Sequence, residues 1–227
     1  MAIARSCERL AELAAEFGPT CHPLPCDLTD RESVAAVARE IVDTYGHVDV
    51  VVSNAGKSIR RPIAESYTRI HDFERLIGVN YLGPVALLLG LLPAMPHGGH
   101  IVNVSSVGVL LPPAPRWGGY VASKTAFDVW LRSAAAELAD DEITASSVYF
   151  ALVHTRMSAP TKDFDNVPGL SPVEAAGVVC RAIVDRPVSI APWWATAAGA
   201  ASGLTRRGSY EAMRRYGRRT ATAKDTG

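Results

Sequence analysis

The sequence predicts a doubly wound α/β fold built around a parallel sheet. Helical and strand patterns alternate along the chain, as that architecture requires. Residues 48–52 and 101–105 form short apolar runs, which are typical of strands buried on both faces. Each run ends in a polar cluster, at residues 53–56 and 105–108. Ligands bind at the carboxyl ends of parallel strands, so we expect both clusters to border one crevice.

The helices are marked by their own start and stop signals. Residues 7–17 have a helical pattern closed by Gly18. The capping-box pattern Thr29-x-x-Glu32 opens a second helix that ends at Gly46. Longer helices are expected near 67–92 and 119–139, and a further strand near 144–150.

Length and composition indicate one domain with a substantial core. The chain has 227 residues, of which 48% are hydrophobic. Its 23 basic residues balance its 23 acidic residues, so the charge gives no reason to expect nucleic acid as a partner. The most apolar stretch, residues 85–92, stops at Pro93 and is much shorter than the roughly 20 residues of a membrane span. We expect a buried helix there and no transmembrane segment.

The cysteines and the N-terminus indicate a reducing compartment. Cys7, Cys21, Cys26 and Cys180 lack the spacing of metal ligands, so no metal is expected. The first residues do not resemble a signal peptide, and the thiols are therefore expected to be reduced. These observations favour the cytoplasm.

Tyr120 and Lys124 carry the strongest chemical signal. Residues four apart share one face of a helix, so both side chains can point into one pocket. A phenol titrates near ~10, and a fixed ammonium nearby favours the phenolate and lowers its pKa toward neutrality. Such a pair can move a proton while a nicotinamide moves a hydride. Alone the pair is a weak signal, because a surface helix can also carry a tyrosine and a solvated lysine.

Five motifs in one order strengthen the signal of this pair. They are Cys26-Asp27-Leu28-Thr29-Asp30, Ser53-Asn54-Ala55-Gly56, Val79-Asn80, Val104-Ser105-Ser106-Val107-Gly108 and Tyr120-Val121-Ala122-Ser123-Lys124. In these motifs the chain resembles the short-chain dehydrogenases/reductases, from residue 1 to about residue 190. The resemblance implies a Rossmann-type fold and an NAD(P)-dependent oxidoreductase.

The resemblance also implies four catalytic residues. Tyr120 would be the acid/base, and Lys124 would lower its pKa and hold the nicotinamide ribose. Ser106 would orient the substrate carbonyl, with Ser105 as the alternative, and Asn80 would support a water-linked proton relay to Lys124. Family members often form homo-oligomers through long helices, including the one that carries Tyr120.

The cofactor preference is indicated by Arg5 and Ser6. In the family, an Asp or Glu after the second strand binds the ribose 2′-hydroxyl and repels a 2′-phosphate, whereas Arg5 and Ser6 stand there in this chain. A guanidinium forms charge-assisted bonds to phosphate, so we expect NADP(H) in preference to NAD(H). The simpler alternative is that Arg5 is a solvated loop residue. By resemblance, the other cofactor contacts are Asp27 and Leu28 at the adenine, Asn54, Ala55 and Gly56 at the adenosine and ribose, and Val153 and Thr155 at the carboxamide.

The first unit that is usual in the family is missing from the sequence. Family members begin with a strand, a Gly-rich turn and a helix, whereas Met1–Ser6 already resembles the second strand. The Gly-rich turn brings backbone N–H groups to the pyrophosphate, and its strand lies centrally in the sheet. We therefore expect a gap in the sheet and a lost phosphate cradle. A truncated chain or a misplaced start codon is the favoured explanation, and a genuine short variant without cofactor binding is the alternative.

The segment after the last long strand concerns the substrate. Phe150 and Ala151 replace the Pro-Gly turn that usually precedes the carboxamide-binding residues. Residues 156–170 are similar to a subgroup of bacterial reductases associated with long-chain acyl-CoA substrates. His154 is a candidate second acid/base, although a lone histidine in a loop is more often structural or solvated.

The chain divides into two parts in this interpretation. Residues 1–190 form an N-terminally truncated NADP-binding domain, and residues 191–227 form a C-terminal apolar and Arg-rich extension. Residues 200–227 carry seven basic and two acidic side chains. Such a patch suits CoA phosphates or an anionic membrane surface, but a solvated terminus is the favoured interpretation.

These features favour an NADP(H)-dependent oxidoreductase that interconverts a carbonyl and an alcohol at a Ser-Tyr-Lys site. A close alternative is reduction of an acyl-CoA thioester to an aldehyde, which the segment after Met157 indicates. A non-catalytic homologue with impaired cofactor binding is the alternative from another class, because the Gly-rich unit is missing.

Overall fold

The computed structural model describes residues 1–164 and 166–222, and in the last helix the side chains of residues 207–215. Asp165 and residues 223–227 of the predicted extension lie outside the described residues, as do the side chains of Arg206, Arg218 and Arg219. The strands are β1 (Ala2–Ala4), β2 (Pro23–Pro25), β3 (Val50–Ser53), β4 (His100–Ser106), β5 (Thr144–Phe150) and β6 (Ser189–Ile190). The α-helices are α1 (Cys7–Phe17), α2 (Arg31–Tyr45), α3 (Ile70–Ile77), α4 (Gly83–Leu91), α5 (Gly118–Glu137), α6 (Pro172–Asp185), α7 (Trp193–Leu204) and α8 (Arg206–Thr222).

The strands form two parallel sheets. β1 pairs with β2, while β3, β4, β5 and β6 pair in that order. Helices connect successive strands, which confirms the predicted α/β fold with parallel strands. Among the described residues no strand joins β1 to β3, so the predicted gap in the sheet is also confirmed.

The structure refines the long helix expected near 67–92 and corrects the cap of α2. The helix expected near 67–92 begins at Ile70 and contains a π-helical turn, Gly78–Leu82, between α3 and α4. The cap of α2 is Asp30 and not Thr29, because the Asp30 carboxylate accepts a hydrogen bond from the Glu32 N–H at 3.0 Å. The Thr29 hydroxyl instead donates to Asp27 at 2.7 Å.

The main core lies among α2, α4, α5 and the sheets. Val34, Val37 and Ile41 recur with helical spacing in α2, and all three are buried in this core. Phe127 and Leu131 of α5 pack into the same cluster. Complete burial of such side chains contributes about 1.5–3 kcal/mol each, so this packing fixes the orientation of α5.

The helical stretch from Ile70 to Ala94 is 25 residues long and, by length and composition alone, could cross a membrane. It includes the apolar run 85–92, whose residues Leu87, Leu88 and Leu91 pack into the main core. Core helices meet the same criterion of length and composition. The packing therefore agrees with the predicted buried helix.

The first helix of the C-terminal extension packs on the rest of the chain. Ala195 of α7 is fully buried in a cluster with Val107 and Tyr149. Gly199 of α7 lies so close to the main chain that an added Cβ would stand 2.6 Å from the Leu110 oxygen. α7 is therefore packed on the segment that follows β4. The expectation of a solvated terminus concerns residues 200–227 and stays a prediction.

Candidate active site

A cavity of about 740 Å³ lies at the carboxyl ends of β4 and β5. The lining comes from the two predicted polar clusters, from α5 and from the segment after β5. Because β4 and β5 are parallel neighbours, their ends open into the same space. Of the predicted site residues, the cavity brings together Asn54, Gly56, Ser106, Tyr120, Lys124, Val153 and Thr155.

Tyr120 lies in the first turn of α5 with its hydroxyl hydrogen-bonded to Ser106. Burial raises the pKa of the Tyr120 hydroxyl, and the hydrogen bond from Ser106 acts against that rise. The expected lowering by Lys124 is not found, because Lys124 does not contribute to the shift in this arrangement. Desolvation of the Tyr120 hydroxyl is therefore the largest influence on its pKa.

Ser106, and not Ser105, contacts Tyr120. The Ser106 side chain also accepts a hydrogen bond from the Gly108 N–H at 3.2 Å, which fixes its orientation. Ser105 also lines the cavity, although successive residues of a strand point to opposite faces of the sheet. Its hydroxyl is buried without a hydrogen-bond partner among the described residues.

Lys124 lies one helical turn after Tyr120, as predicted, and its side chain is buried. The ammonium Nζ donates to the main-chain oxygen of Val104 at 3.0 Å. Burial lowers the pKa of Lys124 to about 8. A Cβ added at Gly56 would lie 3.3 Å from Nζ, so the glycine leaves room beside the ammonium.

Asn80 holds two segments of the site together. Its side chain accepts from the Lys57 N–H at 2.8 Å and donates to the Lys57 oxygen at 2.9 Å. It also donates to Ser123 Oγ at 2.9 Å, and Ser123 donates to the Tyr120 oxygen at 2.8 Å. Asn80 lies in the π-helical turn, a feature that is frequent at functional sites. It therefore links the segment after β3 to the first turn of α5.

The predicted adenine-side residues lie apart from this cavity. Arg5 follows β1, Asp27 follows β2, and their side chains form an exposed ion pair at 3.8 Å. Asp27 also accepts hydrogen bonds from Thr29, which lower its pKa. Ser6 accepts from the Arg9 N–H and caps α1. The other two residues are Leu28, whose oxygen approaches Gly83 of α4, and Ala55, which is exposed.

An aromatic stack beside Tyr120 was not predicted. The rings of Trp117 and Phe164 are stacked with centroids 6.0 Å apart, and Trp117 meets Tyr120 edge-on at 5.8 Å. Arg60 forms an ion pair with Asp163, next to Phe164. These contacts hold the segment after β5 across the cavity. No local pattern indicates them, because the partners are far apart in the sequence.

A buried acidic residue of α5 was also missed. Asp128 accepts hydrogen bonds from Ser147 Oγ at 2.8 Å, from the Tyr149 hydroxyl at 2.7 Å and from Arg132 Nε at 3.1 Å. Burial and the Asp128 carboxylate raise the pKa of Tyr149 to about 12. Asp128 is one turn beyond Lys124 on the same helix face, a spacing that could have drawn attention to it. The network joins α5 to β5.

The cavity side of the site has the groups that a nicotinamide ribose requires. An ammonium has three donors, and among the described residues Lys124 uses one of them on Val104. Within the described part of the chain the Ser105 hydroxyl has no hydrogen-bond partner, and a side chain at Gly56 would crowd Nζ, because its Cβ would lie 3.3 Å away. At the phosphate end, the gap between β1 and β3 contains no Gly-rich turn within the described residues. The described chain therefore fits the reactive end of the cofactor.

The described residues contain no group of three or more His, Cys, Asp and Glu side chains arranged to hold a metal ion. His154 does not line the cavity. Its imidazole approaches Gly169, and its main-chain N–H donates to the main-chain oxygen of Leu170 at 2.9 Å.

Comparison with protein families agrees with the fold and the site. A family model described as short chain dehydrogenase matches residues 1–166. The chain therefore belongs to the short-chain dehydrogenase family. The match covers every strand from β1 to β5 and all four predicted catalytic residues.

The relatives are named as oxidoreductases. An uncharacterised oxidoreductase of Mycobacterium bovis is 45% identical over 193 residues, covering 82% of this chain and 56% of the relative. A fatty acyl-CoA reductase of Acinetobacter baylyi is 45% identical over 194 residues, covering 83% of this chain and 65% of the relative. A fatty acyl-CoA reductase of Mycobacterium tuberculosis is 39% identical over 209 residues, covering 90% of this chain and 71% of the relative. The chain thus spans 56% to 65% of the length of the first two relatives.

Solved structures show the same fold. A short-chain dehydrogenase of Burkholderia cenocepacia in complex with NADP has a TM-score of 0.77 at 24% identity, covering 93% of this chain and 84% of that chain. A 3-ketoacyl-(acyl-carrier-protein) reductase of Brucella melitensis complexed with NADH has a TM-score of 0.70 at 23% identity, covering 79% and 78%. The solved relatives therefore include complexes with both nicotinamide cofactors.

Proposed function

We propose that this chain carries the catalytic site of an NADP(H)-dependent oxidoreductase that interconverts a carbonyl and an alcohol. The observation that carries the proposal is the Ser106–Tyr120 hydrogen bond in a cavity that Lys124 also lines. Two hydroxyls and an ammonium at one point can bind a carbonyl oxygen and transfer a proton to it.

Each residue of the site has its own role in this reaction. A bound nicotinamide supplies or accepts the hydride. Tyr120 donates its hydroxyl proton to the carbonyl oxygen, while Ser106 donates a hydrogen bond to the same oxygen. Lys124 lines the same cavity and is mostly protonated at neutral pH because its pKa is about 8. It supplies a positive charge to the cavity, although it does not lower the pKa of Tyr120 before the reaction. Asn80 fixes Lys57 and the first turn of α5, which keeps Tyr120 in position.

The preference for NADP(H) rests on Arg5. Its side chain is exposed, and its ion pair with Asp27 is long, so the guanidinium can turn to a 2′-phosphate at small cost. Replacing Arg5 with Glu is expected to lower the affinity for NADPH at least tenfold and to leave the affinity for NADH within about twofold. An equal loss of affinity for NADPH and NADH would show that Arg5 does not bind the 2′-phosphate.

The substrate class that we propose is a fatty acyl-CoA or the aldehyde derived from it. Relatives at 45% and 39% identity are named as fatty acyl-CoA reductases. The cavity supports this class through apolar residues on the segment after β5, which include Leu152, Met157 and Phe164. Reduction of an aldehyde would add a hydride from the bound nicotinamide to the carbonyl carbon and the Tyr120 proton to its oxygen, which gives the alcohol. Reduction of a thioester would begin in the same way and give a hemithioacetal. Its C–S bond would then break, releasing the coenzyme A thiol, with the hydroxyl proton passing to sulfur, and leaving the aldehyde.

We also propose that the chain forms homo-oligomers. Leu82, Leu89 and Val129, on or beside α4 and on α5, are between 46% and 59% exposed, and the adjoining cleft is lined by apolar residues including Trp130. Large exposed apolar side chains on neighbouring helices favour contact with another copy.

A non-catalytic homologue is the second candidate, and the gap between β1 and β3 is the observation that favours it. Among the described residues, no Gly-rich turn in this gap offers backbone N–H groups to the cofactor phosphates. NADPH fluorescence titration separates the two candidates, because a folded chain that does not bind NADPH supports the non-catalytic function.

The decisive variant is Tyr120→Phe. Loss of the proton donor is expected to lower the rate of NADPH-dependent reduction of decanal by roughly 10²- to 10⁴-fold while NADPH affinity is retained. Tyr67→Phe is the matched control, because Tyr67 is 82% exposed and lies outside the cavity. Full activity in Tyr120→Phe would disprove the proposed mechanism.

A further inference from the structure

A second cavity, of about 1240 Å³, lies next to the catalytic cavity. We refer to it as the outer cavity. Its walls come from the segment after β3, from α3, from the segment between β4 and α5, and from the C-terminal helices α7 and α8. It is larger than the catalytic cavity of about 740 Å³ and larger than a small carbonyl substrate needs.

The two cavities share one wall. Leu111, Pro112 and Ala114 line both of them. Gly119, which immediately precedes Tyr120, lines the outer cavity. An added Cβ at Gly119 would lie 3.1 Å from the Phe73 ring, so α3 packs directly against the start of α5. A long ligand with its reactive group at Tyr120 can therefore continue into the outer cavity.

The outer cavity combines apolar walls with an excess of positive charge. Its acidic residues, Asp72 and Glu211, are already paired. Asp72 is buried and accepts from Arg61 at 3.0 Å and from Arg69 at 2.9 Å, and Glu211 pairs with Arg214 at 3.1 Å. The apolar lining includes Ile59, Ile63, Phe73, Leu76 and Met213, and the basic lining consists of Arg61, Arg116, Arg207 and Arg214.

Arg207 is the cation of α8 that is best placed for an anion. It is exposed and has no ion-pair partner among the described residues. Arg214 lies seven residues, or about two turns, further along α8 and faces the same cavity. The ion pair of Arg214 with Glu211 is exposed, so Arg214 can exchange this partner for a phosphate at small cost. Two guanidiniums on one helix face can then form charge-assisted bonds to phosphate groups.

We propose that the outer cavity binds the coenzyme A part of a thioester substrate, with its phosphates at Arg207 and Arg214 and its pantetheine chain along the apolar wall. This inference rests on the proposed function, because it assumes that the thioester carbonyl lies at Tyr120. An elongated anion with an apolar linker matches the size, the charge and the shared wall of the cavity. The C-terminal extension thus contributes to substrate binding.

Binding of coenzyme A and of dodecanoyl-CoA to the full chain, measured by calorimetry without nucleotide, tests the proposal. Arg207→Glu is expected to weaken binding of both at least tenfold, because it reverses the charge at the phosphates. Gly203→Phe should do the same by filling the cavity, since a Cβ at Gly203 meets no atom within 4 Å.

Matched controls come from α6. Arg181→Glu makes the same charge change on an exposed helix face, and Gly177→Phe adds the same ring at another helical glycine with open space. Neither position lines a described cavity, so both controls should bind like the parent chain. Circular dichroism verifies folding of each variant, and Gly203→Phe still decides the matter if Arg207→Glu does not fold.

The proposal is overturned if the parent chain does not bind coenzyme A, if both cavity variants bind as tightly as the parent, or if Arg181→Glu weakens binding as much as Arg207→Glu. Dodecanol gives a further test, because binding of this uncharged chain should not change in Arg207→Glu. Decanal reduction by the parent chain is measured separately. Its absence counts against the oxidoreductase function, whereas coenzyme A binding alone decides the role of the outer cavity.

Discussion

Lys124 donates a hydrogen bond from its buried ammonium to the main-chain oxygen of Val104 at 3.0 Å. This one hydrogen bond compensates only in part for the hydration that the ammonium loses on burial. Burial therefore lowers the pKa of Lys124 to about 8. The buried ammonium therefore lowers the stability of the fold, and a ligand that accepts hydrogen bonds from it would reduce this effect.

The first prediction concerns the pH dependence of this cost. Between the folded pKa of about 8 and the unfolded value of 10.5, the unfolded chain binds one proton more than the folded chain at Lys124. The free energy of unfolding should therefore rise with pH in this window, by up to roughly 3 kcal/mol relative to Lys124→Met. Urea denaturation of both chains at about pH 7.5 and pH 10 measures the difference. A difference that is the same at both pH values would contradict the shift.

The second prediction concerns Asn80. Asn80→Ala leaves the N–H and oxygen of Lys57 without their side-chain partner and is expected to destabilise the fold by about 2–4 kcal/mol. Ser123→Ala removes one of the Asn80 hydrogen bonds and should cost less, about 1 kcal/mol. Thermal and urea unfolding compare the two variants. If Ser123→Ala were the more harmful, the role given to Asn80 would be wrong.

The third prediction concerns the contact between α7 and the segment after β4. Gly199→Ala would place a methyl group 2.6 Å from the Leu110 oxygen, so α7 must move away and lose its packing. We expect a loss of about 1–3 kcal/mol and faster proteolysis after residue 190. Gly177→Ala is the control, since open space surrounds that glycine and alanine is the better helix former. Equal stability of the two variants would show that α7 does not depend on this contact.

The fourth prediction concerns Tyr149. Tyr149→Phe removes one of three hydrogen bonds to the buried Asp128 carboxylate and is expected to cost about 1.5–3 kcal/mol at neutral pH. The folded pKa of about 12 lies above the unfolded value of 10.0, so this contribution is lost as pH rises from about 10 to 12. Tyr67→Phe, at an exposed position, should change neither quantity. Unfolding measured across this pH range gives the test.

Part of the site could be predicted because its information is local. Tyr120 and Lys124 are four residues apart on one helix, and Ser106 stands at the end of an apolar strand. The strand pattern also predicted which edge of the sheet carries the cavity. The separate two-stranded sheet followed from the absence of a central strand–helix unit in the sequence.

Other features depend on contacts between distant segments. Trp117 stacks on Phe164 across 47 positions of the chain, and no spacing rule connects them. The π-helical turn around Asn80 interrupts a stretch whose local pattern is that of one continuous helix, and the Asn80 side chain there binds Lys57 and Ser123, which are distant in the sequence. The raised pKa of Tyr120 reflects burial, which a sequence motif does not give.

The two sheets differ in how their strand edges are protected. The outer edges are short or contain proline: β2 begins and ends at Pro23 and Pro25, and β6 has two residues. Proline and short length are common defences against unwanted strand pairing. β1 and β3, which border the gap, contain no proline, and Val52 of β3 is 40% exposed. Intermolecular β-pairing of this chain should therefore begin at the inner edges, and a peptide of strand type that occupies them should suppress its aggregation.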